Sequence, residues 1–246
     1  LLMLDNGYAL VRFEILNWGN FHGYQRFNLR PNDLGGPLFS PPPASAILGL
    51  NGSGKSTLID ALMIALLPFE GSVKLGVTND VESGGSGGRT IRDYVLGKHS
   101  STTGRDGGTL ASSMGRKDGC SMVLLCFKHN RHPDRIVTLG RIWWYLNYSV
   151  SDTQLAFLAY EDLSIEQLCP EKNTPRTPKA FRQHCRETLP HVQVFDTMQG
   201  YFAALSGSLG RISRDDLRIL NRAFYVKSIS QIDQFIRENM LLEQSN

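Results

Sequence analysis

The run Ala46-Ile-Leu-Gly-Leu-Asn-Gly-Ser-Gly-Lys-Ser-Thr57 constrains this chain more than any other stretch. Gly49 to Ser56 satisfies G-x-x-x-x-G-K-[ST] at every fixed position, the pattern of a phosphate-binding loop. Such a loop works because glycines let the backbone approach a phosphate closely. Successive N–H groups then wrap it, and the following helix points its positive end at it. Each part has a candidate here. Gly49, Asn51, Gly52, Ser53 and Gly54 supply backbone, and Lys55, the candidate catalytic residue, neutralises β- and γ-phosphate charge. Ser56 offers its hydroxyl to Mg²⁺, and Thr57 adds a contact to the α-phosphate. The expected ligand is therefore a nucleoside triphosphate with Mg²⁺.

A phosphate loop needs a strand before it and a buried helix after it. Residues 44–48 read as a short buried strand. Residues 57–67 read as a helix that is apolar on nearly every side, interrupted mainly by Asp60 and stopped by Pro68.

Hydrolysis needs more than this cradle: an acid after an apolar strand to hold Mg²⁺, and a group that activates water. Leu155-Ala-Phe-Leu-Ala-Tyr-Glu-Asp162 imitates the first, but Tyr160 precedes the acids and their order is reversed, so it reads as a strand entering an acidic turn. The run from Val192 to Asp196 is a weaker imitation. Ala204-Leu-Ser-Gly-Ser208 resembles the L-S-G-G signature of ABC-type ATPases, yet Ser208 replaces the second glycine and the surroundings are helical. No N-K-x-D guanine motif occurs, which counts against a GTPase. The chain holds half of an ATPase site.

The remainder reads as a mixed α/β chain. Residues 9–16 alternate, with Val11, Phe13 and Ile15 on one face and Arg12 and Glu14 on the other, the pattern of a half-buried strand with its polar face to water, and with 24–29 they form a hairpin. A Pro/Gly-rich connection spans 31–43. Residues 71–119 are rich in Gly and Ser, with order expected at 90–96, and the rest reads as surface loop. Residues 121–127, 135–148 and 154–160 suggest an antiparallel meander. Helices are expected over 179–189, 198–205 and 213–224, the last opened by Ser213 with Asp216 three residues on, and another from Ser230 to the end. That last helix suggests continuation into a segment beyond it.

Composition excludes little else. With 41% apolar residues a substantial core can form, and a net charge of +3 permits nucleic-acid contact without demanding it. The four cysteines contain no C-x-x-C pair and read as free thiols in a reducing compartment. Cys126, His129 and His132 lack a second half-site and read as structural, not as a zinc site. The longest apolar run is too short for a bilayer and the start is unlike a signal peptide, so a cytoplasmic protein without membrane contact is expected.

Four stretches, in this order, carry a resemblance: Phe13-Glu-Ile-Leu-Asn-Trp-Gly-Asn-Phe21, the phosphate loop, Arg89-Thr-Ile-Arg-Asp-Tyr-Val-Leu-Gly97 and Phe235-Ile-Arg-Glu-Asn-Met-Leu241. Together they resemble the N-terminal head of the MukB-like branch of SMC ATPases, as in the JetC and MksB subunits of Wadjet and Mks systems. The resemblance implies an ABC/SMC-type P-loop ATPase head of α/β class. Residues 1–229 would form its N-terminal lobe, with a mixed sheet and an antiparallel meander, and 230–246 would begin a coiled coil. It implies ATP and Mg²⁺ as cofactors, sandwiched between two copies of the head. Kleisin and tandem winged-helix (KITE) subunits, double-stranded DNA and a Toprim-type nuclease are the partners it implies, with DNA loop extrusion in plasmid defence or chromosome organisation as the function. Arg89 or Arg92 would reach the nucleotide, and Gln231 would help order Mg²⁺. DNA contact is open at 89–119, where six basic and three acidic residues lie. Two other readings stand beside this one. The first is a RecF-like or other ABC-family DNA-repair ATPase. The second is a self-contained small-molecule kinase, which would need residues 155–162 for its Mg²⁺ acid.

Overall fold

The computed structural model describes residues 7–29, 47–50, 52–67, 75, 89–98, 115–170 and 174–224. Among them six strands form one sheet: β1 (Tyr8–Leu16), β2 (Tyr24–Asn28), β3 (Gly119–His129), β4 (Ile136–Leu146), β5 (Ser149–Ala159) and β6 (Gln193–Phe195). Their order is β2-β1-β3-β4-β5-β6, with every neighbour antiparallel. The hairpin and the meander expected from alternation are both present.

Helices cover both faces. On one lie α1 (Lys55–Leu66), α2 (Ile91–Leu96), α5 (Met198–Ser208) and α6 (Arg214–Phe224), packed on Phe13, Ile15, Val123, Leu125, Leu139 and Trp143. On the other lie α3 (Ile165–Leu168) and α4 (Pro178–Thr188), packed on Met122, Leu124, Ile142, Trp144 and Phe157. Two covered faces explain why β3 and β4 are apolar at almost every position. Gly140, in the middle of β4, admits no side chain: a Cβ there would lie 2.1 Å from the Val123 carbonyl oxygen and 2.6 Å from Cζ of Phe157.

Helix starts follow the spacing of their caps. Thr90 and Asp93 open α2 with a reciprocal capping box, and Thr177 caps α4 ahead of Pro178. For α6 the Asp216 N–H donates to Ser213 Oγ at 3.1 Å, and the Ser213 N–H donates to Asp216 Oδ2 at 2.8 Å. The Ser213 hydroxyl, then its N–H, hold the Asp216 carboxyl below its ordinary value. This contribution to stability is present at neutral pH and is lost as pH falls through the depressed pKa. Ser213→Ala should cost about 1 kcal/mol, read from the urea midpoint.

Three expectations are corrected. First, the polar face of β1 does not meet water: Arg12 is 6% exposed and Glu14 is fully buried. Arg12 Nε lies 2.7 Å from Glu14 Oε1, Arg12 also reaches Asp162 and the Leu163 carbonyl, and the Ile165 N–H donates to Glu14 Oε2 at 2.7 Å. The entry to α3 thus lids an ion pair. Second, Val11 does not share a face with Phe13 and Ile15. Leu10 pairs with Phe127 and Arg12 with Cys126, so Val11 is the extra residue of a β-bulge and packs toward α3 and α4.

Third, the described end of the approach to the phosphate loop, residues 47–48, is not part of a buried strand. Residues 44–46 lie outside the described residues, and 47–50 run irregularly with Leu48 89% exposed. Among the described residues none of the six strands pairs with 47–50, and the described sheet is antiparallel throughout instead of mixed. The expected connection at 31–43, most of 71–119 and the closing helix at 230–246 lie outside the described residues.

Candidate nucleotide-binding site

The described part of the loop has the geometry its glycines permit. Gly52 has φ +81 and Gly54 has φ +96, both left-handed conformations that side chains resist. At Gly49 a Cβ would meet Ser53 Oγ at 2.6 Å. Gly54 is the N-cap of α1 and brings no side-chain cap, so the first N–H groups of the helix are left for an external acceptor. No acid stands in the first turn of α1 to compete with an anion. Lys55 curls back over the loop, its Nζ donating to the carbonyls of Gly49 at 2.7 Å and Leu50 at 2.8 Å. An ammonium held there, beside open N–H groups at the end of a twelve-residue helix, suits a polyphosphate.

What walls this loop was not legible beforehand. The turn after β1 leans on it at two points. Beside Gly54 stand Phe21 and Asn20, since a Cβ on that glycine would meet Phe21 Cζ at 2.8 Å and Asn20 Nδ2 at 2.9 Å. Beyond Ser56, the indole N–H of Trp18 donates to the Thr57 carbonyl at 3.2 Å, and a Cβ on Gly19 would lie 2.4 Å from Thr57 Cγ2. Trp18 in turn stacks on Tyr94 of α2 at 5.2 Å, and the Tyr94 hydroxyl donates to the buried Asp60 carboxylate of α1. Burial, then the charge of Asp60, push the Tyr94 phenol above its ordinary value, which keeps it a donor. The signals available were a tryptophan placed in a turn and an acid inside an apolar helix. Both mark this interface.

The other end of α1 is anchored as well. Tyr201 donates to the Ala65 carbonyl at 2.8 Å, and Arg141, buried within the sheet, donates to the Ile64 carbonyl at 3.0 Å. A cation at a helix C-terminus complements the helix dipole. The phosphate-loop helix is therefore held towards its start by the turn after β1 and by α2, and at its end by β4 and α5.

The remaining candidates are dispersed. Thr57 is buried against Gly19. Arg89 lies over the Tyr94 ring at 5.8 Å, at the junction of α1 and α2. Arg92 donates to Ser149 Oγ at 3.0 Å, at the turn between β4 and β5. Asn51 and Gln231 lie outside the described residues. The acidic turn after β5 is structural, with Asp162 bound to Arg12 and 4.0 Å from Lys128. Ala204 to Ser208 sits in the last turns of α5 with Leu205 buried, and Ser208 donates back to the Ala204 carbonyl at 2.7 Å. His129 Nδ1 accepts the N–H groups of Arg131 and His132 at 3.1 and 3.2 Å, and among the described residues no His, Cys, Asp or Glu cluster can hold a metal.

Residues 10–75 match the family model described as the P-loop containing region of AAA domain. Over this stretch the chain is similar to a P-loop region. It takes in β1 from Leu10, β2, the loop and α1, the same elements that the Trp18 turn binds together. P-loop regions bind nucleotide phosphates, typically with Mg²⁺, and Ser56, at the first turn of α1, supplies a hydroxyl of the right kind for the metal. No curated protein matches the chain. Among the described residues no helix is long and apolar enough to cross a membrane.

Proposed function

We propose that this chain is the ATP-binding half of an SMC-like motor head, completed by a C-terminal head half and by a second copy of the subunit. The observation that carries the reading is an imbalance around the loop. Its helix is anchored at both ends, whereas the apolar run leading into it stays in the open, with Ile47, Leu48 and Leu50 exposed by 46, 89 and 85%. Apolar residues in such a row mark a surface made to be covered. Strands supplied by another segment would cover it and bring the missing Mg²⁺ acid and signature.

In this reading ATP and Mg²⁺ are held by Gly49 to Thr57, and hydrolysis drives translocation or loop extrusion on double-stranded DNA in plasmid defence or chromosome organisation. Kleisin and tandem winged-helix subunits bridge the heads, and a Toprim-type nuclease acts in the defence form. The engagement of Asp162 by Arg12 disfavours a self-contained kinase, because the acid such a kinase would need is already used.

The isolated chain should bind ATP·Mg²⁺ and show no multiple turnover. Isothermal titration together with a phosphate-release assay checks both. Sustained phosphate release by the 246 residues alone would sink the half-site reading.

A further inference from the structure

Arg116 lies outside the phosphate loop, yet it grips the turn that walls that loop. Its guanidinium makes four hydrogen bonds, all to backbone carbonyls. Nη1 donates to Tyr94 at 3.1 Å and Val95 at 2.9 Å, near the C-terminal end of α2. Nη2 donates to Gly19 at 2.9 Å and Phe21 at 2.6 Å, in the turn after β1. The Gly19 N–H adds a bond to the Tyr94 carbonyl at 2.8 Å, and the Arg116 N–H donates to the Leu96 carbonyl at 2.8 Å. Close packing at the end of α2 keeps the fork in place: at Gly97, with φ +67, a Cβ would lie 3.0 Å from Arg116 Cζ. No carboxylate pairs with Arg116 among the described residues, and its Nε is buried with no partner.

A cation desolvated only to grip carbonyls costs more than a packed apolar residue would, so a core-filling role does not explain it. Its geometry does. The turn it grips is the one that touches the phosphate loop at Gly54 through Phe21 and Asn20, and at Thr57 through Trp18 and Gly19. These contacts flank Lys55 and Ser56.

We infer that Arg116 is a positioning residue for nucleotide binding: it holds the Trp18–Phe21 turn against Gly54 and Thr57 and so fixes the phosphate loop in its binding shape. The inference rests on the nucleotide-binding reading above. Lysine cannot replace it, because a single ammonium cannot span two pairs of carbonyls on separate elements as the planar fork does.

The test is calorimetric titration of the full chain with ADP·Mg²⁺ and, separately, with tripolyphosphate, which reads the loop without the base. Arg116→Lys should weaken both ligands by about tenfold or more, as small misplacements of a preorganised site do. Its unfolding midpoint without nucleotide should fall, because the ammonium leaves one pair of carbonyls without a donor, so both titrations are run well below that midpoint, on folded protein. Arg116→Gly should lose affinity further, and millimolar guanidinium should restore it, an effect that a merely structural role would not give. Wild-type affinity in Arg116→Lys overturns the inference, as does a loss in Arg116→Gly that guanidinium leaves unchanged. Should the Arg116 variants fail to fold, Phe21→Leu removes the wall at Gly54 and leaves the clamp: weaker binding supports the inference, and unchanged binding overturns it. A wild-type chain that binds neither ligand refutes the nucleotide reading itself, and this inference with it.

Discussion

Lys55→Ala is expected to weaken nucleotide binding by about two orders of magnitude, since charge-assisted contacts to two phosphates are together worth roughly 3 kcal/mol. The fold should survive. Lys55 donates to the carbonyls of Gly49 and Leu50, both in a solvent-exposed stretch, so its loss leaves no buried group stranded. The separation between affinity and stability makes the experiment informative. ATP titration should show the loss while the unfolding midpoint stays within a degree or two of wild type, the range of a surface substitution. Wild-type affinity would remove the loop from the nucleotide site. In the complete assembly proposed above, the same substitution should abolish plasmid restriction or loop extrusion, and unimpaired restriction would mean that this site does not power it.

The loop was legible because its chemistry is local. Gly52, Gly54 and Lys55 do their work within one turn of backbone, and a pattern of eight residues captures all of it. The meander was legible for a related reason, since alternation and turn residues act over short range. What the pattern could not show is what lies across the fold. The contact of Trp18 with Thr57 joins residues 39 apart, and the grip of Arg116 on Gly19 joins residues 97 apart. No periodicity encodes such pairs. Residues 47–48 failed as a strand for the complementary reason. Their composition asks for burial, but a strand is made by its neighbours, and the described sheet offers none at that place. Their exposure is the observation on which the half-site proposal rests.

The same dependence on distant partners misled the reading of β1, where Arg12 and Glu14 looked solvent-facing and are buried. Burial pulls the Arg12 pKa down, but the hydrogen bond to Asp162 and the charges of Cys126, Glu14 and Asp162 outweigh it and leave it raised. Removing the cation should therefore be severe. In Arg12→Met, Glu14 keeps the Ile165 N–H at 2.7 Å but loses its near cation, with Arg26 Nε 3.9 Å away, and a buried carboxylate stripped of its partner costs roughly 3–5 kcal/mol. Asp162, 40% exposed, can turn to water and adds little. The double variant Arg12→Met/Glu14→Leu should recover most of the loss, because apolar residues of similar volume replace a buried pair at small cost. Urea titrations of the wild type, both single variants and the double variant close the cycle. A double variant as unstable as the sum of the singles would show that the two side chains act independently, and that the ion pair adds nothing to the hydrogen bond from the Ile165 N–H to Glu14.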